Sequence, residues 1–280
     1  CYYCGIRRGN RGVDRYRLSK DEIMECCAVG DSLGFRTFVL QGGEDMAMGD
    51  DYVADIVRSI RAAYPATAIT LSLGERSPEA YRKFFGAGAN RYLLRHETAC
   101  AGHYGQLHPP EMSFDNRMAS LRALKEIGYQ VGTGMMVGSP GQTTENLVDD
   151  ILFIDNFKPQ MIGIGPYIPQ HDTPFADRPA GSMETTLRLI SVFRLMFPPA
   201  LIPSTTSLAT ISPNVRAEGI LAGANVVMPN LTPPSARAKY ALYDNKASFG
   251  AESAEGLWAL EEEFRTIGYH LSDDRGDFQD

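Results

Sequence analysis

The chain has 280 residues, 44% apolar and 22% charged, with a net charge of −7. That balance fits a soluble globular protein with one large core or two modest ones. It argues against non-specific nucleic-acid binding, and no apolar run reaches the roughly 18 residues that span a bilayer.

The chain opens on Cys1-Tyr2-Tyr3-Cys4-Gly5, followed by Arg7, Arg8, Arg11, Arg15 and Arg17. C-x-x-C spacing serves zinc sites, thiol redox pairs and iron–sulfur clusters alike, so alone it does not choose among them. The five cysteines have no framework spacing, which points to a reducing, cytoplasmic setting. The arginine run reads as a local positive surface rather than an RNA site. Cys26 and Cys27 read as inert helix thiols, Trp258 as packing, and Cys100, His103 and His108 as too short a set for zinc.

A βα phrase then repeats along the chain. Helical patterns at about 20–33, 50–63, 78–85, 114–127, 144–156, 183–197, 213–222 and 254–267 alternate with apolar runs. The runs lie at 37–40, 68–73, 91–94, 131–137, 161–168, 201–207 and 226–228. Ser19, Ser77, Thr143 and Ser212 fit as N-caps, and glycines such as Gly88 and Gly128 fit helix ends. Short runs buried on both faces, each following a helix, imply a parallel sheet. Seven such strands, with one more ahead of Cys1, make the eight of an α/β fold of the (β/α)8 TIM-type barrel class; an open doubly wound sheet is the alternative. The expected organisation is a single domain over 1–280, with a barrel core over about 1–231 and a closing segment over 232–280. Residues 166–181 read as one long loop above a strand.

In such a barrel the loops after the strands carry the chemistry. Those positions hold Gln41-Gly42-Gly43-Glu44-Asp45, Ser72-Leu73-Gly74-Glu75, Arg95-His96-Glu97-Thr98, Met135-Met136, Pro166-Tyr167, Thr205-Thr206 and Pro229-Asn230. A charged Arg95-His96-Glu97 set directly after Leu93-Leu94 exceeds what a strand end needs.

Taken in order, these phrases resemble the HydE family of [FeFe]-hydrogenase maturases, within the radical S-adenosylmethionine (SAM) superfamily. The resemblance is carried by 40–45, 71–75, Arg91-Tyr92-Leu93-Leu94-Arg95-His96-Glu97-Thr98-Ala99, 136–143, 163–169 and 228–230. It implies that Cys1 and Cys4 are two thiolates of a C-x-x-x-C-x-x-C motif holding a [4Fe–4S] cluster. The third thiolate would lie four residues ahead of Cys1, with the first strand and N-terminal helices. It further implies a SAM site of Tyr3, Gln41, Gly42, Gly43, Glu44, Ser72, Glu97, Arg117, Met136, Pro166, Tyr167 and Ile168. Within it Gly42-Gly43-Glu44 receives the ammonium, Arg117 matches a carboxylate with its planar fork, and Met136 and residues 166–168 wall the adenine. Thr70, Ser72, Arg95, Thr205, Thr206, Met228, Tyr240 and Tyr243 match positions lining the family's central cavity.

The implied reaction is reductive SAM cleavage to a 5′-deoxyadenosyl radical, which acts on a small iron–carbonyl–cyanide–cysteine precursor. The implied partners are a radical SAM maturase that makes the iron synthon, a GTPase scaffold and a low-potential electron donor, with no nucleic acid and no membrane. Gly42 stands where the family commonly has serine. Residues 240–280 hold no cysteine, with Ser248 and Ser253 in that neighbourhood, so no second cluster is expected. A sister enzyme of methylornithine synthase or biotin synthase type, or a cluster-free barrel binding protein, are the competing readings.

Overall fold

Five short runs rich in apolar and β-branched residues pair side by side, all parallel. They are β1 (Thr37–Gln41), β2 (Ala68–Ser72), β3 (Arg91–Leu93), β4 (Gln130–Thr133) and β6 (Met161–Ile162), in the order β1-β2-β3-β4-β6. The register runs Thr37↔Ala68, Thr70↔Arg91, Arg91↔Gln130 and Gly132↔Met161. Single parallel bridges, Met161↔Leu201 and Pro203↔Val226, continue the curve. The computed structural model describes residues 1–211, 215–246 and 253–278. The architecture is a (β/α) barrel of the TIM type.

Helices return the chain between staves: α1 (Lys20–Ser32), α2 (Asp50–Ala63), α3 (Pro78–Ala87), α4 (Ala101–Leu107), α5 (Phe114–Ile127), α6 (Thr144–Phe157) and α7 (Met183–Met196). After them come α8 (Thr206–Ile211), α9 (Val215–Leu221), α10 (Pro234–Arg237) and α11 (Leu257–Arg265). Ser19 caps α1 in a reciprocal box with Glu22, Ser77 caps α3, and Thr143 caps α6 with Asn146 returning the bond. Gly88 and Gly128 end α3 and α5 at φ +116° and +105°, where a side chain would be strained. Ser212, expected as a cap, lies outside the described residues.

The structure departs from the sequence reading at the last four apolar runs and at α4. The runs 131–137 and 161–168 are each broken in two, giving β4 with β5 (Met136–Val137) and β6 with β7 (Gly165–Pro166). A Cβ on Gly134 would lie 1.9 Å from the Gly163 carbonyl, so the two staves approach too closely there to stay in one ladder, and β5–β7 pair separately. The run 201–207 is only a bridge at Leu201 and Pro203, because proline donates nothing to a ladder and Thr206 already opens α8. The run 226–228 is a single bridge at Val226. The short α4 has no apolar period long enough to announce it.

Two apolar cores sit between staves and helices. Phe38, Ile69, Leu71, Tyr81, Tyr92 and Leu124 centre the first, where Tyr92 meets Tyr81 and Tyr129 edge-on at 5.0 and 5.7 Å. Ile162, Ile190, Phe193 and Ile202 centre the second, into which α11 inserts Leu260 and Phe264. Each such side chain, fully buried, contributes about 1.5–3 kcal/mol. Below the barrel, at the N-terminal ends of the strands, buried Arg91 holds the tail: it donates to the carbonyls of Arg275 and Gly276 and to Asp277. No helix among the described residues is long and apolar enough to cross a membrane.

Candidate active site

Cys1 and Cys4 lie at the upper mouth in a chain of tight turns, with Cys4 N–H donating to the Cys1 carbonyl at 3.4 Å and Arg7 N–H to the Cys4 carbonyl at 3.1 Å. Backbone bonds from Tyr2 to Leu107 and from Gly5 to Leu242 pin this segment to both sides of the barrel rim. The Cys1 Sγ lies 3.9 Å from the Met112 Sδ. Burial pushes the Cys4 thiol up, while a hydrogen bond from the Ile6 amide and the Arg15 charge oppose that shift. Thiolates need such donors where they ligate a metal. Among the described residues no three His, Cys, Asp or Glu side chains gather as a metal site.

His103 and His108 have other work. The His103 Nε2 bonds to the Pro140 carbonyl at 3.2 Å. The His108 Nδ1 donates to the Tyr104 carbonyl at 2.9 Å, which leaves Nε2 as acceptor for the Tyr3 hydroxyl at 3.4 Å. Burial lowers the His108 pKa to about 4, so the ring is neutral at ordinary pH. Burial raises the Tyr3 pKa well above its usual value, reinforced by the nearby Glu97 carboxylate.

Next to Tyr3, three loops converge on Arg117. This arginine from α5 is buried; it donates from Nε to Glu75 at 2.6 Å and from Nη1 to the Arg95 carbonyl at 2.6 Å, and pairs with Glu44 at 3.5 Å. It also lies over the Tyr104 ring, 5.9 Å from the centroid. Burial opposes its charge, but the Tyr104 phenol and the Glu75 carboxylate hold its pKa above the usual arginine range. Glu44 in turn accepts the Glu75 amide at 3.1 Å. A Cβ on Gly43 would meet nothing within 4 Å, and one on Gly42 would touch only Leu73, so the loop after β1 faces open space. Glu75 and Tyr104 are not among the candidate ligands read from sequence; the strand-end phrase 72–75 was the only signal for the first, and nothing announced the second.

The segment after β3 explains its charged phrase. Arg95 and Glu97 face the site and His96 faces away, into α6. The buried His96 ring bonds to the Thr133 hydroxyl at 3.0 Å, lies 3.3 Å from Asp150 and tilts against Phe153. Asp150 also accepts the Ala99 amide at 2.5 Å. Glu97 holds a left-handed φ of +65°, unusual for glutamate, and donates its amide to the Gly134 carbonyl at 3.0 Å. Arg95 Nη2 and Glu97 Oε2 are 3.1 Å apart but not aligned as a hydrogen bond. Arg95 Nε and Nη2 and Glu97 Oε2 are therefore buried polar atoms without a hydrogen-bond partner. Such atoms are costly unless a ligand satisfies them.

An apolar wall completes this side. Leu107, Met136 and Tyr167 form a small cluster with Tyr3 and Phe175 packed against it, and the Tyr167 hydroxyl donates to the Phe175 carbonyl at 3.0 Å. Pro166 lies in β7, and half-buried Ile168 follows Tyr167. Thr70 is buried in β2, and Ser72 ends that strand, its carbonyl accepting the Gly42 amide. Tyr240 and Tyr243 reach in from the segment after α10. Burial raises both, Tyr243 to about 12; Tyr240 senses Cys4, and Tyr243 senses Arg95. Thr205 pairs with Ser207 at 2.9 Å. Gln41 is exposed at the end of β1, and Met228, 44% exposed, lines with Thr206 and Arg216 a separate small cleft, so Gln41, Thr206 and Met228 are not gathered with the rest.

The barrel with paired thiols at its upper mouth defines the class: residues 1–154 match the radical SAM superfamily, an enzyme superfamily that uses a [4Fe–4S] cluster and SAM. The chain is 46% identical over 88% of its length to the [FeFe] hydrogenase maturase subunit HydE of Thermotoga maritima, covering 70% of that protein. It is 31% identical to the 3-methylornithine synthase of Methanosarcina barkeri, over 87% of this chain and 69% of that one. The crystal structure of methylornithine synthase (PylB) superposes with a TM-score of 0.87 at 28% identity, covering 99% of this chain and 80% of that one. Within the superfamily, the chain belongs to the HydE family of [FeFe] hydrogenase maturases.

Proposed function

We propose that this enzyme cleaves SAM reductively at the upper mouth of the barrel and acts on a small iron–carbonyl–cyanide–cysteine substrate held in the cavity below. Cys1 and Cys4 are two of three thiolates holding the cluster, the third being the cysteine of the motif four positions ahead of Cys1. When bound, the cluster and SAM together supply the 5′-deoxyadenosyl radical. The chain's own residues bind and shield. Glu44 and the open Gly42-Gly43 turn accept the ammonium, with Ser72 on the same rim. Arg117 and Glu97 hold the polar end of SAM, and Tyr3, Met136 and the 166–168 segment cover the adenine. Arg95 supplies donors to an anionic substrate, with Thr70, Thr205, Tyr240 and Tyr243 completing the cavity. Water exclusion matters because a primary carbon radical attacks what is nearest.

The observation that carries this reading is the set of unpartnered buried atoms on Arg95 and Glu97, beside Tyr3 and Arg117. One cluster is proposed; Ser248, part of the sequence argument against a second, lies outside the described residues. The proposed partners are a synthon-making maturase, a GTPase scaffold and a low-potential electron donor, in the cytoplasm. The test is SAM turnover by the anaerobically reconstituted full-length protein, with and without the iron synthon. Turnover unaffected by the synthon, but coupled to an amino-acid substrate, would favour the methylornithine synthase reading that the 31% identity keeps alive.

A further inference from the structure

Residues 5–19 carry five arginines against one aspartate, a net +4 in a chain whose total is −7. They form a loop without helix or strand that begins one residue after Cys4. This loop is built, not loose. Arg15 donates to the carbonyls of Ile6, Arg7 and Asn10 at 2.8–3.0 Å. Buried Asn10 donates to the Gly5 carbonyl at 2.8 Å and accepts the Gly12 amide at 3.0 Å. Arg7 reaches the Asp172 carbonyl at 3.0 Å. Arg15 thus spends its donors on neutral carbonyls, Arg7 gives one donor to a carbonyl while its buried Nε has no hydrogen-bond partner, and both keep their charge. Arg8, 94% exposed, has only a 3.5 Å contact with exposed Glu111, which solvent screens. Among the described residues no carboxylate pairs with Arg11. The loop's own Asp14 is engaged by Lys239, Asp172 and Asp244 share His171, and Arg17 is engaged by Asp45.

Arg15 and Arg7 build this loop, but Arg8 and Arg11, exposed on it a few residues from Cys4, make no hydrogen bond that the fold needs, and like charges held together repel. The loop's position suits electron delivery. We propose that Arg7, Arg8, Arg11 and Arg15 form the docking face for an acidic, low-potential electron-transfer protein. This rests on the reading of Cys1 and Cys4 as cluster ligands. On docking, one electron passes from the donor's reduced iron–sulfur or flavin centre to the cluster; the donor is oxidised by one electron, the cluster is reduced by one, and no bond or proton moves in that step. Charge complementarity of this kind sets encounter and orientation more than final affinity, so the complex forms fast and falls apart easily.

The test uses the full-length reconstituted protein with an acidic [4Fe–4S] ferredoxin and an acidic flavodoxin as probes, binding being measured by calorimetry. The wild type binds either probe at ~50 mM salt and loses at least ~10-fold affinity at ~300 mM. The R8E/R11E variant binds at least ~10-fold more weakly at low salt, and E111Q binds about 2-fold more tightly. Dithionite-driven SAM cleavage is unchanged in R8E/R11E, since both side chains are exposed and a small reductant needs no docking face. Equal binding by wild type and R8E/R11E, no binding by wild type, or tighter binding of an RNA oligomer at the same arginines would overturn the proposal. Failure of dithionite-driven cleavage in the wild type would instead remove the cluster reading, and the calorimetric result would still stand or fall separately.

Discussion

Arg91 opens β3 and Arg95 lies two residues past its end, yet they are treated oppositely. At the bottom, Arg91 is buried and every one of its nitrogens donates: Nε to Gln130, Nη1 to Thr37, and Nη2 to the tail at Arg275, Gly276 and Asp277. At the top, Arg95 is a third exposed, and its Nε and Nη2 have no hydrogen-bond partner. A buried guanidinium with all its donors taken holds structure. One left with spare donors beside a lone carboxylate oxygen is prepared for something else. The lower end is closed by the chain itself, and the upper end is left for a ligand to close.

That contrast can be broken or sharpened by substitution. The largest effect belongs to the top: Cys4→Ser in the reconstituted full-length protein abolishes SAM cleavage and lowers iron content, read by iron analysis and 5′-deoxyadenosine release. Folding of the apo protein is barely changed. At the bottom, Arg91→Ala strips Asp277, Gln130 and two tail carbonyls of a charged donor and costs about 3 kcal/mol in anaerobic chemical denaturation. Cleavage per folded molecule is retained. Equal losses of stability in Arg91→Ala and Arg95→Ala would erase the distinction between the ends.

Arg95→Ala is expected to cost about 1 kcal/mol of stability, because its contact with Glu97 is not a formed hydrogen bond. Substrate-dependent turnover falls about 30-fold, the loss of one or two charged hydrogen bonds. The smallest effect concerns His108, whose pKa falls from 6.5 unfolded to about 4 folded because burial disfavours the charged ring. Its contribution is fully present above pH 6.5 and is lost as pH drops through that window, since the unfolded chain takes up the proton first. The wild type therefore loses about 2 kcal/mol between pH 6.5 and 5 from this group, and His108→Gln flattens that part of the profile in pH-dependent unfolding.

Much of the barrel was legible because it is local. The repeated phrase of amphipathic helix, glycine and short apolar run needs only neighbouring residues to be recognised, and Ser19, Ser77 and Thr143 cap where their side chains predict. Strand continuity was not legible. The breaks in 131–137 and 161–168 arise where Gly134 and Gly163 from different staves nearly touch, a contact no single stretch encodes. Arg95-His96-Glu97 was visible as a charged anomaly, but not its division into two inward groups and one outward histidine bound to Thr133 and set against Asp150.

The sequence by itself determined the class of fold, the pair of thiols and the phrases from which the site is built, because hydrophobic period, helix caps and motif spacing act over a few residues. Only the tertiary structure decided that Glu44, Glu75 and Arg117 form one hub, that Arg91 is spent on the tail, and that Arg95 is not. Those outcomes depend on groups up to 186 residues apart that meet only when the chain is folded.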